Sequence, residues 1–419
     1  MLPRRTPHPV PCHTPRPAPR RGLLATALLA AAAVLSPAAL PATAAPVPAP
    51  VPAPVRHSGD CPEDGGGLGP ALTRRLDATV EKVRRAAGIP GIVVGVWLPG
   101  KGCYVRATGV ADERTGAPMS ADTYVRIGSE TKTFTVTALL QLVDEGRVGL
   151  DDPIDDYVRG VPNGHAVTLR QLAGMRSGLF PYTSDPAFVS DLLNAPERPF
   201  EPWEALSYGY RHANTSAPGT AFQYSNSNLV LLGMVVEKVT GRPLAEVLHD
   251  RVIRPAGLRH SFLAEDARFP EPHARGYTDQ TPTGAVADAT DWNPSWAWAA
   301  GAMVSNLHDL RRWAPVVATG KLLGPATQAQ RMKTLPTGFP GTTYGLGILK
   351  TGGWIGHNGS IPGYETVTVY LPSKRATLVL MLNTDSLSGG QEPSTLVARA
   401  VTEVITPQNV YAGSVTPRG

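Results

Sequence analysis

Ser129 and Lys132, in the stretch Gly128-Ser129-Glu130-Thr131-Lys132, stand three positions apart. A serine hydroxyl is a weak nucleophile until a neighbouring base takes its proton. A lysine can be that base when desolvation and nearby positive charge lower its pKa towards about 7 to 8. If the stretch opens a helix, the two side chains occupy neighbouring positions on one face. The Ser129 N–H, at the start of such a helix, could then help hold a developing oxyanion. The same two residues also fit a simpler arrangement, with Ser129 capping the helix and Lys132 in solvent.

Two later clusters bear on that choice. In Phe222-Gln223-Tyr224-Ser225-Asn226 a phenol and an amide lie two residues apart, and in extended backbone both project to one side. Tyr224 could relay a proton to a leaving group, and Asn226 could bond Lys132 and a substrate carbonyl. Taken alone, the pair would equally serve as a packed aromatic and a helix cap. In Gly356-His357-Asn358-Gly359-Ser360, His357 could be a cationic or hydrogen-bonding partner of Tyr224. The Ser360 N–H could complete an oxyanion hole, and the glycines would let a substrate backbone lie along a strand edge. The plain alternative for His357 is a turn residue.

The elements that must position these groups follow from apolar periodicity. Phe134, Val136, Ala138, Leu139, Leu140, Leu142 and Val143 follow Ser129 and stop at Gly146, which predicts a helix apolar on most sides and therefore buried. Leu72, Leu76, Val80, Val83 and Ala87 predict an amphipathic helix ended by Gly88 and Pro90. Strand-like runs at 92–98 and 104–110 flank Pro99-Gly100-Lys101-Gly102, a hairpin composition. Similar runs at 364–371 and 376–382 precede a helix at 393–405, while the middle, 128–290, reads as mainly helical, with helices at 229–240 and 244–252. The expected fold is α+β, an antiparallel sheet built from both chain ends and flanked by helices.

The three clusters, in this order, resemble the serine β-lactamase and penicillin-binding DD-peptidase family. The resemblance is nearest to secreted bacterial D-alanyl-D-alanine carboxypeptidases, then to class C β-lactamases, and runs from about Leu72 to about Ile405. Supporting stretches are Gln141-Leu142-Val143-Asp144-Glu145-Gly146, Met175-Arg176-Ser177-Gly178-Leu179 and Tyr344-Gly345-Leu346-Gly347. The resemblance implies that Ser129 is acylated by an amide or lactam carbonyl and that Lys132 and Tyr224 manage protons. Asn226, Trp296, His357, Asn358 and Ser360 would then line the substrate, Trp296 as an aromatic wall. It also marks departures. Asn358 stands where a threonine helps hold the substrate's terminal carboxylate, and Ile348-Leu349-Lys350 stands where an arginine grips it. Three activities follow in order of expectation: a DD-carboxypeptidase acting on peptidoglycan peptides and binding penicillin; a D-amino-acid amidase or aminopeptidase; an esterase or β-lactamase. A penicillin-binding sensor is the non-enzymatic alternative.

Composition narrows the class. Of 419 residues 42% are hydrophobic and 17% charged, enough apolar content for one large core. Residues 1–44 read as an export signal: a basic start, an apolar run and Ala42-Thr43-Ala44. Their five arginines account for the whole formal charge of +5, so no basic surface remains to suggest nucleic acid. Residues 45–67 read as a proline- and glycine-rich spacer, 68–408 as the hydrolase domain and 409–419 as a tail. Cys61 and Cys103 could form one disulfide in an exported chain. A secreted monomer with no cofactor, metal or membrane partner is expected, its ligand a D-amino-acid peptide or a β-lactam.

Overall fold

The computed structural model describes residues 67–413. The expected export signal and nearly all of the proline spacer lie outside the described residues. Cys103 is disulfide-bonded; Cys12 and Cys61 also lie outside them.

The helices that matter for the site are α1 (Pro70–Ala86), α2 (Thr131–Asp144), α3 (Asn226–Thr240), α4 (Leu307–Thr319), α5 (Pro325–Arg331) and α6 (Pro393–Ile405). In α1, Leu76 and Val80 sit one turn apart and are buried, while Arg84 and Arg85 pair with Glu81 on the wetter side. Gly88, at φ +67°, turns the chain out of that helix.

The main sheet has nine strands: β1 (Gly91–Leu98), β2 (Gly102–Asp112), β3 (Ala117–Pro118), β4 (Leu335–Pro336), β5 (Thr342–Tyr344), β6 (Leu349–Thr351), β7 (Trp354–Ile361), β8 (Tyr364–Leu371) and β9 (Ala376–Leu382). Their order is β3-β2-β1-β9-β8-β7-β6-β5-β4, and every pairing is antiparallel. The chain ends meet at β1 and β9, from Ile92 opposite Leu382 to Trp97 opposite Thr377. Both strands are buried along their whole length because both faces are covered. Ile92, Val94, Val96, Leu378, Leu380 and Leu382 pack in one core with residues of α1 and α6, while Val93, Trp97, Val379 and Met381 join the core of the helical middle.

This is the expected α+β fold. The helix expected at 244–252 is an α-helical turn, Leu244–Leu248, continued by a π-helical one, His249–Ile253. The plain alternative for His357, a turn residue, does not hold: residues 356–360 lie in β7, paired from Ile355–Tyr370 to Ile361–Tyr364. Pairing along β8 overrides the local preference. Among the described residues no helix is long and apolar enough to cross a membrane.

The expected tail from 409 needs correction as far as Gly413. Trp354 donates its indole N–H to the Asn409 carbonyl at 2.7 Å, Ala412 N–H bonds Thr351 Oγ1 at 3.3 Å, and Tyr411 is 0% exposed. Replacing such a ring by alanine removes its burial and leaves a cavity. Tyr411→Ala should therefore cost about 3 kcal/mol, read as a lower urea midpoint. An unchanged midpoint would show that these residues are a loose tail.

Candidate active site

Ser129 lies in a short 3-10 turn, Gly128–Glu130, that feeds α2. The turn rests on β7. A Cβ on Gly128 would come within 2.8 Å of Ser360 N, and one on Gly359 within 2.0 Å of Ile127 O. Two glycines, one on each partner, are therefore what let the turn and the strand touch through their backbones. β6 pairs with β7 only at Trp354–Gly356, so from His357 onward that edge of β7 is left to the Ser129 turn.

Helix α2 is held on several sides. Thr131 Oγ1 accepts from Met303 N–H at 3.1 Å, Thr133 Oγ1 from the Trp313 indole at 2.8 Å, and Thr135 donates to Ala299 O at 2.7 Å. Phe134 stacks on Trp313 at 4.0 Å. Arg331, fully buried at the end of α5, donates to Thr137 Oγ1 and Thr133 O. With the helix fixed in this way, the Lys132 side chain has one course, into the protein.

Lys132 is 0% exposed; its Nζ donates to Ser129 Oγ and to Ala300 O, each at 2.8 Å, and sits 4.8 Å from the Tyr224 ring centre. Burial holds its pKa well below the ordinary lysine value. The capping arrangement is thus excluded: no side-chain cap forms at the start of α2, and Lys132 does not reach solvent. Tyr224, buried just ahead of α3, has no hydrogen bond of normal geometry at Oη. Burial raises its pKa well above 10, Tyr344 adds to the rise, and the nearby Ser129 hydroxyl opposes it. An amine that can take a proton and a phenol that keeps one therefore stand together at Ser129.

The remaining expected residues divide. Asn226 opens α3 with a buried Oδ1 that has no partner, and the bond expected from Lys132 goes instead to Ala300 O. His357 is a buried strand residue, bonded through Nε2 to Tyr344 Oη at 2.9 Å and through Nδ1 to the Asn358 carbonyl at 2.5 Å. Burial, reinforced by Lys132 when that amine is protonated, pushes its pKa down to about 3. A cationic His357 bonded to Tyr224 is therefore corrected to a neutral one bonded to Tyr344, its ring centre 6.3 Å from that of Tyr224.

Alternation along β7 corrects Asn358 as well. His357 pairs with Thr368 on the site face, while Asn358 pairs with Val367, whose side chain packs in the core under α1 and α6. There the Asn358 amide donates to Glu392 Oε2 at 3.3 Å, so it does not take the carboxylate-holding place. The Ser360 side chain shares that far face, but its backbone nitrogen borders the Ser129 turn. Trp296 is half-buried; its carbonyl accepts from Tyr182 Oη at 2.5 Å and its ring lies 6.1 Å from Phe188 in an aromatic cluster. Leu349 is core, whereas Lys350 is exposed on the face that Ile355 and His357 share.

Sequence reasoning passed over Tyr344, Arg331, Glu130 and the Ala300 carbonyl. Tyr344 could have been found, since its Tyr-Gly-Leu-Gly stretch had drawn notice. Among the described residues no group of three or more His, Cys, Asp or Glu side chains is arranged to hold a metal.

The fold and the buried Ser–Lys–Tyr cluster define a serine hydrolase of the β-lactamase and transpeptidase type. The beta-lactamase family profile matches residues 76–402, and the chain belongs to that family. It is similar to a D-aminopeptidase from Brucella anthropi, 32% identical over 325 residues, which are 74% of this chain and 59% of that protein. Among solved structures it is similar to a D-stereospecific amidohydrolase from Streptomyces sp. (31% identity, TM-score 0.71, 80% of this chain and 99% of the other). It is also similar to a D-amino acid amidase from Ochrobactrum anthropi SV3 complexed with D-phenylalanine (28% identity, TM-score 0.72, 80% and 99%). The chain thus spans 59% of the length of the D-aminopeptidase it matches.

Glu130, beside the nucleophile, is buried, and burial raises its pKa to about 8 against the restraint of Thr366 and Thr368. Between the unfolded value near 4.5 and about 8 the folded protein holds a proton that the unfolded chain has lost, so this group's contribution falls as pH rises. Glu130→Gln should match wild type in urea melts at pH 4 and exceed it at pH 8, on the order of a few kcal/mol. An equal gap at both pH values would mean that Glu130 does not titrate in this window.

Proposed function

We propose that the chain hydrolyses the amide bond following an N-terminal D-amino acid, as an aminopeptidase or amidase, through an acyl-enzyme on Ser129. Uncharged Lys132 takes the Ser129 proton as Oγ attacks the carbonyl. The N–H groups of Ser129 and Ser360 are the donors nearest the developing oxyanion. Tyr224 gives its proton to the departing amine and regains one from the Lys132 ammonium, whose Nζ lies 4.8 Å from its ring. Water then attacks the ester by the same route in reverse and releases the D-amino acid.

One observation carries the choice of substrate: His357 is neutral, with both ring nitrogens already bonded, and Asn358 is turned to the opposite face. A carboxypeptidase needs a firm hold on a terminal carboxylate, and neither residue offers one. The similarity to D-aminopeptidase and D-amino acid amidase supports the same ordering. The DD-carboxypeptidase reading keeps one observation in its favour, the exposed Lys350 on the His357 face. A lone ammonium, without the bidentate fork of a guanidinium, is a weak clamp there.

The test compares purified wild type and Ser129→Ala on D-alanine amide, its L-isomer and acetyl-D-alanyl-D-alanine. Wild type should favour D-alanine amide, and Ser129→Ala should lose at least about 10³-fold in kcat/KM with its thermal melt unchanged. Turnover of the acetylated dipeptide alone would return the carboxypeptidase to first place. Activity that survives in Ser129→Ala would remove the acyl-enzyme.

A further inference from the structure

We propose that Tyr344 is a positioning residue that sets substrate preference: by donating its phenol proton to Nε2 of His357 it keeps that imidazole uncharged, and the site disfavours leaving groups that carry a carboxylate. The proposal rests on the aminopeptidase or amidase reading above and names the leaving group that such an enzyme would accept.

The proton placement follows from what each partner can do. The Asn358 carbonyl, 2.5 Å from Nδ1, can only accept, so Nδ1 carries the hydrogen. In a neutral ring Nε2 is then an acceptor, and the Tyr344 hydroxyl at 2.9 Å must be its donor. Both nitrogens are thereby committed, and the ring presents no N–H to a substrate. For His357 to become a cation, Tyr344 would have to turn its own hydrogen away and accept instead.

Tyr344 is poorly placed to turn. It is buried in β5 opposite Leu349, and its ring packs edge-on against His357 (5.7 Å) and near Phe222 (5.6 Å). A Cβ on Gly345, the next residue, would come within 2.2 Å of the Arg331 carbonyl, which pins this strand end against α5.

The charged and titratable groups around His357 act in the same sense. Arg331 from α5 opposes a further positive charge, and so does Lys132 from α2 whenever it carries a proton. Tyr224, ahead of α3, and Tyr344 are phenols that burial keeps protonated. Of the nearby carboxyls, Glu130 beside Ser129 is raised to about 8, and Glu392 at the start of α6 receives the Asn358 amide on the far face of β7. A substrate carboxylate arriving beside His357 would meet a ring with no hydrogen to offer, whereas a carboxamide needs none.

The test has one readout that is independent of turnover. Long-range proton–nitrogen spectra of the whole protein, with histidines labelled, should show His357 with its hydrogen on Nδ1 and a bare Nε2 from pH 5 to 8. A hydrogen on Nε2 in wild type, whether in the neutral Nε2–H tautomer or in the cation, would overturn the proposal. Tyr344→Phe keeps the ring packing and removes the donor, so His357 should take up a second proton at a higher pH than in wild type.

The second readout is the ratio of kcat/KM for D-alanyl-D-alanine amide to that for D-alanyl-D-alanine. Wild type should favour the amide. Tyr344→Phe should narrow the ratio by about tenfold at pH 5.5, chiefly through a lower KM for the acid, and less at pH 8. Equal losses on both substrates, with the ratio unchanged, would assign Tyr344 a purely structural part. A wild type that cleaves neither dipeptide nor D-alanine amide would sink the functional reading together with the preference, although the spectrum would still report the tautomer.

Discussion

The whole site depends on a lysine amine that has been taken out of water without a carboxylate bonded to it. Lys132 Nζ meets a hydroxyl and a backbone carbonyl, both neutral acceptors, at 2.8 Å. A charged ammonium in such surroundings is costly, and burial lowers the pKa of the group well below the ordinary lysine value. The base is therefore made by the burial of α2, and α2 stays buried because threonines at 131, 133, 135 and 137 satisfy polar groups on neighbouring segments. A helix apolar on every side would have packed as well, but it would have left the Trp313 indole and the Arg331 guanidinium without those partners.

A second constraint is steric. The nucleophile reaches the strand edge only because Gly128 and Gly359 remove the two Cβ atoms that would otherwise hold the turn and β7 apart. Gly128 also adopts φ +48°, where a side chain would be strained. These glycines recur in both motifs for one reason, and neither would be explained by a flexible loop.

What could be read from the sequence follows from how local each signal is. Ser129 and Lys132 lie within one helical turn, and the apolar run behind them already implied a buried helix. The meeting of the chain ends was legible because β1 and β9 are apolar through their length, as only strands covered on both faces are. The third motif was harder. Glycines and an asparagine weigh against a strand, and only pairing with β8 makes one. Once β7 is a strand, alternation by itself sends Asn358 to the face opposite His357. Tyr344 stands out in the sequence as the first residue of Tyr344-Gly345-Leu346-Gly347, but its role does not. Its phenol gains a role only when β5, β6 and β7 fold side by side and bring it to His357.

The groups nearest Ser129 share a property that no single one of them reveals. Burial drives Lys132 and His357 towards loss of a proton and drives Tyr224 and Glu130 towards keeping one, so each is pushed towards its uncharged form. Arg331 is the exception: burial lowers it to about 9, which still leaves it a cation at neutral pH. In such surroundings a charge created during reaction is weakly screened, and its interaction with a preplaced dipole or counter-charge is correspondingly strong. Proton transfer from Ser129 to Lys132 creates just such a pair, an ammonium and an oxyanion. A site whose groups nearest Ser129 are pushed towards their uncharged forms has little ground-state ion pairing to break before that pair forms, which is where its electrostatic advantage would lie.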